Sequence, residues 1–246
     1  MSDIIDNQNC TGETEQDAMN LGTINPQLKL KVSRRARRMA LRLDMRERVM
    51  YLVVPPRMNL KTAHNFAREY SDWIEEKLSE LPAPVKFHNG TTIPLFGRDV
   101  KIRVHYDPTF KKTSFELRPR VLHVYTNKRD VNGRIARFLK QEAEKVIKAL
   151  AVEKAARIGK KILDVKIRDT KTRWASCADD GILHFSWRLI FAPWDALDYV
   201  VAHEVSHLVH MNHGPAFWGL CARLSAAYDY GHGWMRDHGH TLMRFG

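Results

Sequence analysis

Apolar and polar positions alternate through residues 28–55: Leu28, Leu30 and Val32, then Met39, Leu41 and Leu43, then Val49, Tyr51 and Val53. A period of two marks strands with one buried face, and Asp44-Met45-Arg46-Glu47-Arg48 interrupts it as a turn, so the stretch predicts a β-hairpin or meander. From Asn59 the period becomes helical. Asn59 is a candidate N-cap, Leu60, Ala63, Ala67, Ile74 and Leu78 lie on one face, and the helix runs to about Leu81, before Pro82 and Pro84. Strands return at 93–95, 100–104, 115–117 and 121–124, punctuated by Gly90 and Gly97. A long helix follows at about 131–158, with Ile135, Leu139, Ile147 and Leu150 at helical spacing and Gly159 at its end.

Residues 163–191 predict a second short sheet section, in which Asp179-Asp180-Gly181 turns a strand at 172–177 into one at 182–187. The next helix starts at Pro193 or Asp195. Asn212-His213-Gly214-Pro215 is its stop, because Asn and Gly tolerate a left-handed C-cap and Pro cannot continue a helix. Pro215 opens a further helix with Phe217, Trp218, Leu220, Cys221 and Leu224 inward.

The helix ahead of Asn212 carries His203-Glu204-Val205-Ser206-His207. Positions four apart nearly eclipse on an α-helix, so the two imidazoles project together from consecutive turns and can share one Zn²⁺. Glu204, one step round, reaches a water held by that ion without ligating it, the arrangement of a metal-dependent hydrolase. A third ligand is required if one coordination position is to stay open for water. His210 is seven residues from His203, about 10.5 Å along a straight helix, too far for one ion. His213 follows the predicted break, where the chain can fold back. It is the expected third ligand, with His210 in reserve.

These residues carry a family resemblance. His203-Glu204-x-x-His207-Leu208 with Asn212-His213-x-x-x-Phe217-Trp218 is similar to the YgjP-like metallopeptidase domain, related to the WLM and SprT-like zincins. Arg173-Trp174-Ala175-Ser176-Cys177, Trp187-Arg188-Leu189-Ile190-x-x-Pro193 and Asp198-Tyr199-Val200-Val201 extend the likeness, over about residues 31–224. Ala175 stands where the family pattern has Gly, and Ser186 where it has Asn. The resemblance implies a zinc metallopeptidase in which Arg173 and Trp174 lie near the zinc helix on a strand able to pair with an extended substrate, Arg173 holding a carboxylate or phosphate; a core Trp and a salt-bridged Arg are the plainer alternative. The expected fold class is thus α+β: a tail at 1–27, a β-rich section with one helix at 28–130, and a zincin-like section with the H-E-x-x-H helix at 131–246.

Charge changes the picture of partners more than of fold. The 246 residues carry 40 Lys and Arg against 28 Asp and Glu, a formal +12. Residues 1–27 hold five of the acids and no Lys or Arg, and with few aromatic residues they read as a disordered acidic tail. The remainder stands at 40 basic against 23 acidic, or +17. Such a field attracts nucleic acid, polyphosphate or acidic peptides. Arg34, Arg35, Arg37 and Arg38 cluster within it, as a solvated strand edge or as an anion-binding rim. A peptide or protein substrate is the first expectation; hydrolysis of a nucleotide phosphoanhydride and a nucleic-acid-associated protease are the alternatives, although no Walker-type loop and no C-x₂-C ribbon supports either. Three widely spaced cysteines argue against a disulfide framework, and no leader or membrane span is evident, so a cytoplasmic protein is expected. His232, His238 and His240 are expected in an exposed C-terminal tail.

Overall fold

A computed structural model describes residues 20–170, 173–178 and 180–246. They divide into two compact units, Met1–Leu81 and Pro82–Gly246. The expected sections meet instead at 130/131. The strands at 92–126 group with the following helix because Ile93, Ile102, Leu122 and Val124 share one core with Ile135, Leu139 and Ile147.

In the first unit, β1 (Leu28–Val32), β2 (Ala40–Asp44) and β3 (Val49–Val54) form a sheet in the order β1-β3-β2. The hairpin of β2 and β3 matches the alternation, but β1 pairs in parallel with β3, so the sheet is not a meander. The basic linker 33–39 carries the chain from one edge of the sheet to the other past the end of β3, where Ser33 N donates to Val54 O at 2.9 Å. Arg34, Arg35, Arg37 and Arg38 are exposed along that crossing. The expected helix is broken in two, α1 (Leu60–Glu69) and α2 (Ser71–Ser79), at Tyr70, whose φ of −103° and ψ of 17° leave the helical region. Asn59 caps α1 by accepting from Lys61 N at 2.8 Å. Ala63, Ala67, Ile74 and Leu78 pack with Met50, Leu52 and Val54. Of the expected tail, 1–19 lie outside the described residues, while Asn20 caps a 3₁₀ turn at Leu21–Thr23.

The second unit starts with a four-stranded sheet, β4 (Thr92–Leu95), β5 (Arg98–Tyr106), β6 (Ser114–Arg118) and β7 (Val121–Thr126), in the order β4-β5-β7-β6. The long helix α3 (Asn132–Arg157) has Ile158 as its C-cap, just before Gly159 at φ +64°. A three-stranded sheet follows, β8 (Asp164–Arg168), β9 (Ala175–Cys177) and β10 (Ile182–Ser186), with β10 in the middle. Lys171 and, from the expected hairpin, Thr172 and Asp179 lie outside the described residues. Trp187–Phe191 forms a buried 3₁₀ helix capped by the Ser186 hydroxyl, then α4 (Trp194–Ser206), α5 (Pro215–Leu224) and α6 (Tyr228–His238) complete the unit with a last 3₁₀ helix at Gly239–Arg244. The C-terminal region is therefore not an exposed tail. Leu242, Met243 and Phe245 are buried, and α6 packs on α4.

Two buried cations fasten elements of this unit, and the first ties the helices that bear the site. Lys154 of α3, 3 % exposed, reaches Asp198 Oδ1 of α4 at 2.5 Å and donates to Leu224 O, the last residue of α5, also at 2.5 Å. Arg188 is fully buried; its Nε donates to Phe245 O at 2.8 Å and its Nη1 to Asp169. Buried charges persist only when so paired.

Candidate metal centre

The site is built on the C-terminal half of α4. Apolar side chains at Leu197, Val200, Val201 and Val205 bury the helix. That anchoring fixes the direction in which His203 and Glu204 leave the backbone. The helix stops at Ser206, earlier than the Asn212-Gly214 signal implies, with His207 as its C-cap residue. No left-handed residue ends it: Asn212 is not among the positive-φ positions, and Gly214 has φ −83°. Instead the bonds tighten to three-residue spacing, with Leu208 N on Val205 O and Val209 N on Ser206 O, both 3.1 Å. The chain then turns back, so that His213, just ahead of α5, returns to the level of His203.

His203, His207 and His213 converge, with one ring nitrogen from each within 4.8 Å of the others. Their ring centroids form a nearly equilateral triangle, 5.1 Å between His203 and His207, 5.0 Å between His203 and His213, and 4.8 Å between His207 and His213. Tetrahedral ligation at about 2.05 Å predicts roughly 3.3 Å between ligating nitrogens and roughly 5.2 Å between centroids. The Nε2 atoms of His203 and His213 are 3.1 Å apart. The three side chains fit a metal ion of that size.

Their protonation also suits ligation. His207 Nδ1 lies 3.1 Å from His210 O, and a carbonyl only accepts, so the proton is on Nδ1 and the Nε2 lone pair is free. His210 thus serves through its backbone. Its side chain is not among the three converging rings. Burial, then the neighbouring His207 and His213, pushes the His203 pKa down to about 4, and burial lowers that of His207 as well. Both imidazoles are thereby neutral at pH 7. His203 Nδ1 is buried without a hydrogen-bond partner among the described residues.

Glu204 is 6 % exposed, and burial pushes its pKa up to about 8 against the opposing effect of a hydrogen bond from the Cys177 amide in β9. A cavity of about 300 Å³ opens beside it, lined by Trp174, Ala175, Tyr199, Val200, His203 and Glu204, with His232, Met235 and Arg236 from α6. Trp174 thus reaches the cavity, as the resemblance implies. Arg173 does not: it is exposed, and its carbonyl accepts from Thr170 Oγ1 at 2.6 Å. Cys221 is buried on α5, and burial pushes its thiol up to about 12, which makes it a packing residue rather than a nucleophile.

Comparison with known families agrees with this geometry. Residues 37–238 match the model of the YgjP-like metallopeptidase domain. The chain belongs to the YgjP-like metallopeptidase family. Membership implies peptide-bond hydrolysis with a divalent metal, and the match covers α4, α5 and α6. No match was found among curated proteins or among solved structures. As for compartment, no described helix of this YgjP-like chain is long and apolar enough to cross a membrane.

Sequence reasoning missed Tyr199 and His232 as residues of the cavity. The signal for His232 was weak but present: Tyr228, His232, Met235 and Arg236 are spaced for one helical face, next to Gly231, where a helix crossing demands a small residue.

Proposed function

We propose that the chain is a zinc peptidase that cleaves peptide bonds with water, with His203, His207 and His213 as the metal ligands and Glu204 as the general base. The observation that carries this reading is the triangle of imidazoles with Glu204 and a cavity beside it. Three histidines suit zinc, and a bound zinc ion supplies Lewis acidity, bringing the pKa of its water toward 7 and polarising the carbonyl under attack. Glu204 takes a proton from the attacking water on a carboxylate oxygen and passes it to the leaving amine nitrogen. Burial raises its carboxyl pKa to about 8 in the metal-free chain, so the group holds a proton more firmly than an ordinary carboxylate. The Cys177 amide orients that carboxylate. Among the described strands β9 is an edge strand of its sheet, and its Cys177 amide is turned to Glu204, so an extended peptide laid along that edge would lie beside the general base. Trp174, Val200 and Met235 make the cavity wall mostly apolar, which favours a peptide side chain over a polyphosphate.

The test offers the zinc-loaded protein a peptide library and a nucleotide panel. One zinc per chain is expected, lost on Ala substitution of His203, His207 or His213 and kept in His210→Ala. Glu204→Gln should retain zinc while peptide cleavage falls by roughly 10²-fold or more. Loss of zinc from the Gln variant, or cleavage of nucleotides alone, would sink the reading.

A further inference from the structure

The cavity wall holds two hydrogen-bond donors that the scheme above leaves unused, His232 and Tyr199. His232 is half-buried, ligates nothing and has no hydrogen-bond partner among the described residues. The rings of Tyr199 and Trp218 lie against it at 5.3 and 6.1 Å. The same two rings lie against His203 at 6.0 and 5.7 Å, so His232 and His203 share neighbours on one side of the centre. Gly231 holds α6 tightly to α4, which fixes the position of the next residue along it: a Cβ at Gly231 would meet Asp195 O and Tyr199 Cβ at 2.5 Å. A histidine held rigidly in the wall of a reaction cavity, with its polar atoms free, has an N–H to offer a bound substrate.

We infer that His232 is a further catalytic residue, its ring N–H donating a hydrogen bond to the oxygen of the scissile carbonyl. The inference rests on the peptidase reading. As water adds to the carbonyl carbon, the new C–O bond forms, the C=O π pair moves onto the oxygen and the water proton goes to Glu204. When the tetrahedral centre collapses, the pair returns, the C–N bond breaks and Glu204 delivers the proton to the amine. His232 keeps its proton throughout. Its hydrogen bond strengthens as charge grows on the oxygen and weakens again afterwards, which lowers the barrier rather than tightening ground-state binding.

The experiment uses the full-length zinc-loaded chain, a peptide that the parent cleaves and a phosphonamidate analogue of that peptide. His232→Ala should cut kcat by about 10²-fold with KM little changed, as for loss of one oxyanion donor. Phosphonamidate affinity should fall in the same proportion as kcat/KM, while melting temperature and zinc content stay parental. His232→Gln, which restores an N–H, should recover part of the loss. Parental kcat in both His232 variants, a loss that follows melting temperature or zinc in both, or a loss carried wholly by Tyr199→Phe would each overturn the inference alone. A parent that cleaves no peptide overturns the peptidase reading, and this inference with it.

Discussion

Glu204 keeps a carboxyl group almost out of contact with water, and a proton is the remedy for that in the absence of metal. Its folded pKa of about 8 lies above the ordinary 4.5, so the folded chain holds a proton that the unfolded chain releases. The stability it contributes is complete below pH 4.5 and is lost as pH rises toward 8, a loss on the order of a few kcal/mol. In metal-stripped protein, Glu204→Gln should therefore melt close to the parent at pH 5 and clearly above it at pH 8.5. His203, held neutral down to about pH 4, burdens parent and variant alike on the acid side, so the difference isolates Glu204. Equal melting differences at both pH values would contradict the assigned burial. At this scale the convergence of His203, His207 and His213 was legible, because a four-residue spacing and a histidine just past a helix end are local features. His232 was not, since its place depends on a crossing of two helices far apart in sequence.

That crossing is made possible by Gly231. The backbone of α6 passes so close to α4 that a methyl group would overlap a carbonyl oxygen and a side-chain carbon, neither of which can move without shifting its helix. Gly231→Ala should destabilise the protein by about 1–3 kcal/mol, the cost of overpacking a filled interface. It should also lower peptide cleavage while zinc content is kept, because all three imidazoles sit outside α6. An unchanged melting curve would show that α6 is not pinned there. The element boundaries repeat the lesson of the residues. Period and Gly159 foretold α3 to within a residue at each end, since both act through neighbouring backbone. They misplaced the end of α4, where hydrogen bonds tighten to three-residue spacing without any Gly or Asn. They also missed the parallel pairing of β1 with β3, because alternation gives a strand its faces and not its partner.

For the molecule as a whole, two features are separable by deletion. The five acidic residues of the N-terminal segment all precede residue 20, so removing 1–19 takes the formal charge from +12 to +17. The cut belongs there and not at 27, because Gln27 Nε2 donates to Arg48 O at 2.5 Å and Gln27 O accepts from Met50 N at 2.9 Å. The shortened chain should bind a fluorescent oligonucleotide more tightly at low salt, with the gain vanishing as screening shortens. Superimposable isotherms would leave the charge as a solubility feature.

The second deletion concerns the two cores. Leu28, Met50, Leu52, Ile74 and Leu81 form one buried cluster, and the other, from Phe87 to Phe245, lies wholly within Pro82–Gly246. The second unit also contains its own buried ion pairs, Lys154 with Asp198 and Arg188 with Asp169, and every side chain of the metal centre and cavity. Its span of 165 residues is an ordinary size for a self-sufficient domain. Within the second unit α4 is anchored by α3, α5 and α6, and Glu204 is oriented by β9. Residues 82–246 expressed alone should therefore unfold in a single cooperative transition and bind one zinc per chain, with Glu204→Gln leaving that stoichiometry unchanged. A fragment that melts without cooperativity, or that takes up no zinc although the full chain does, would show that the first unit is required to build the site.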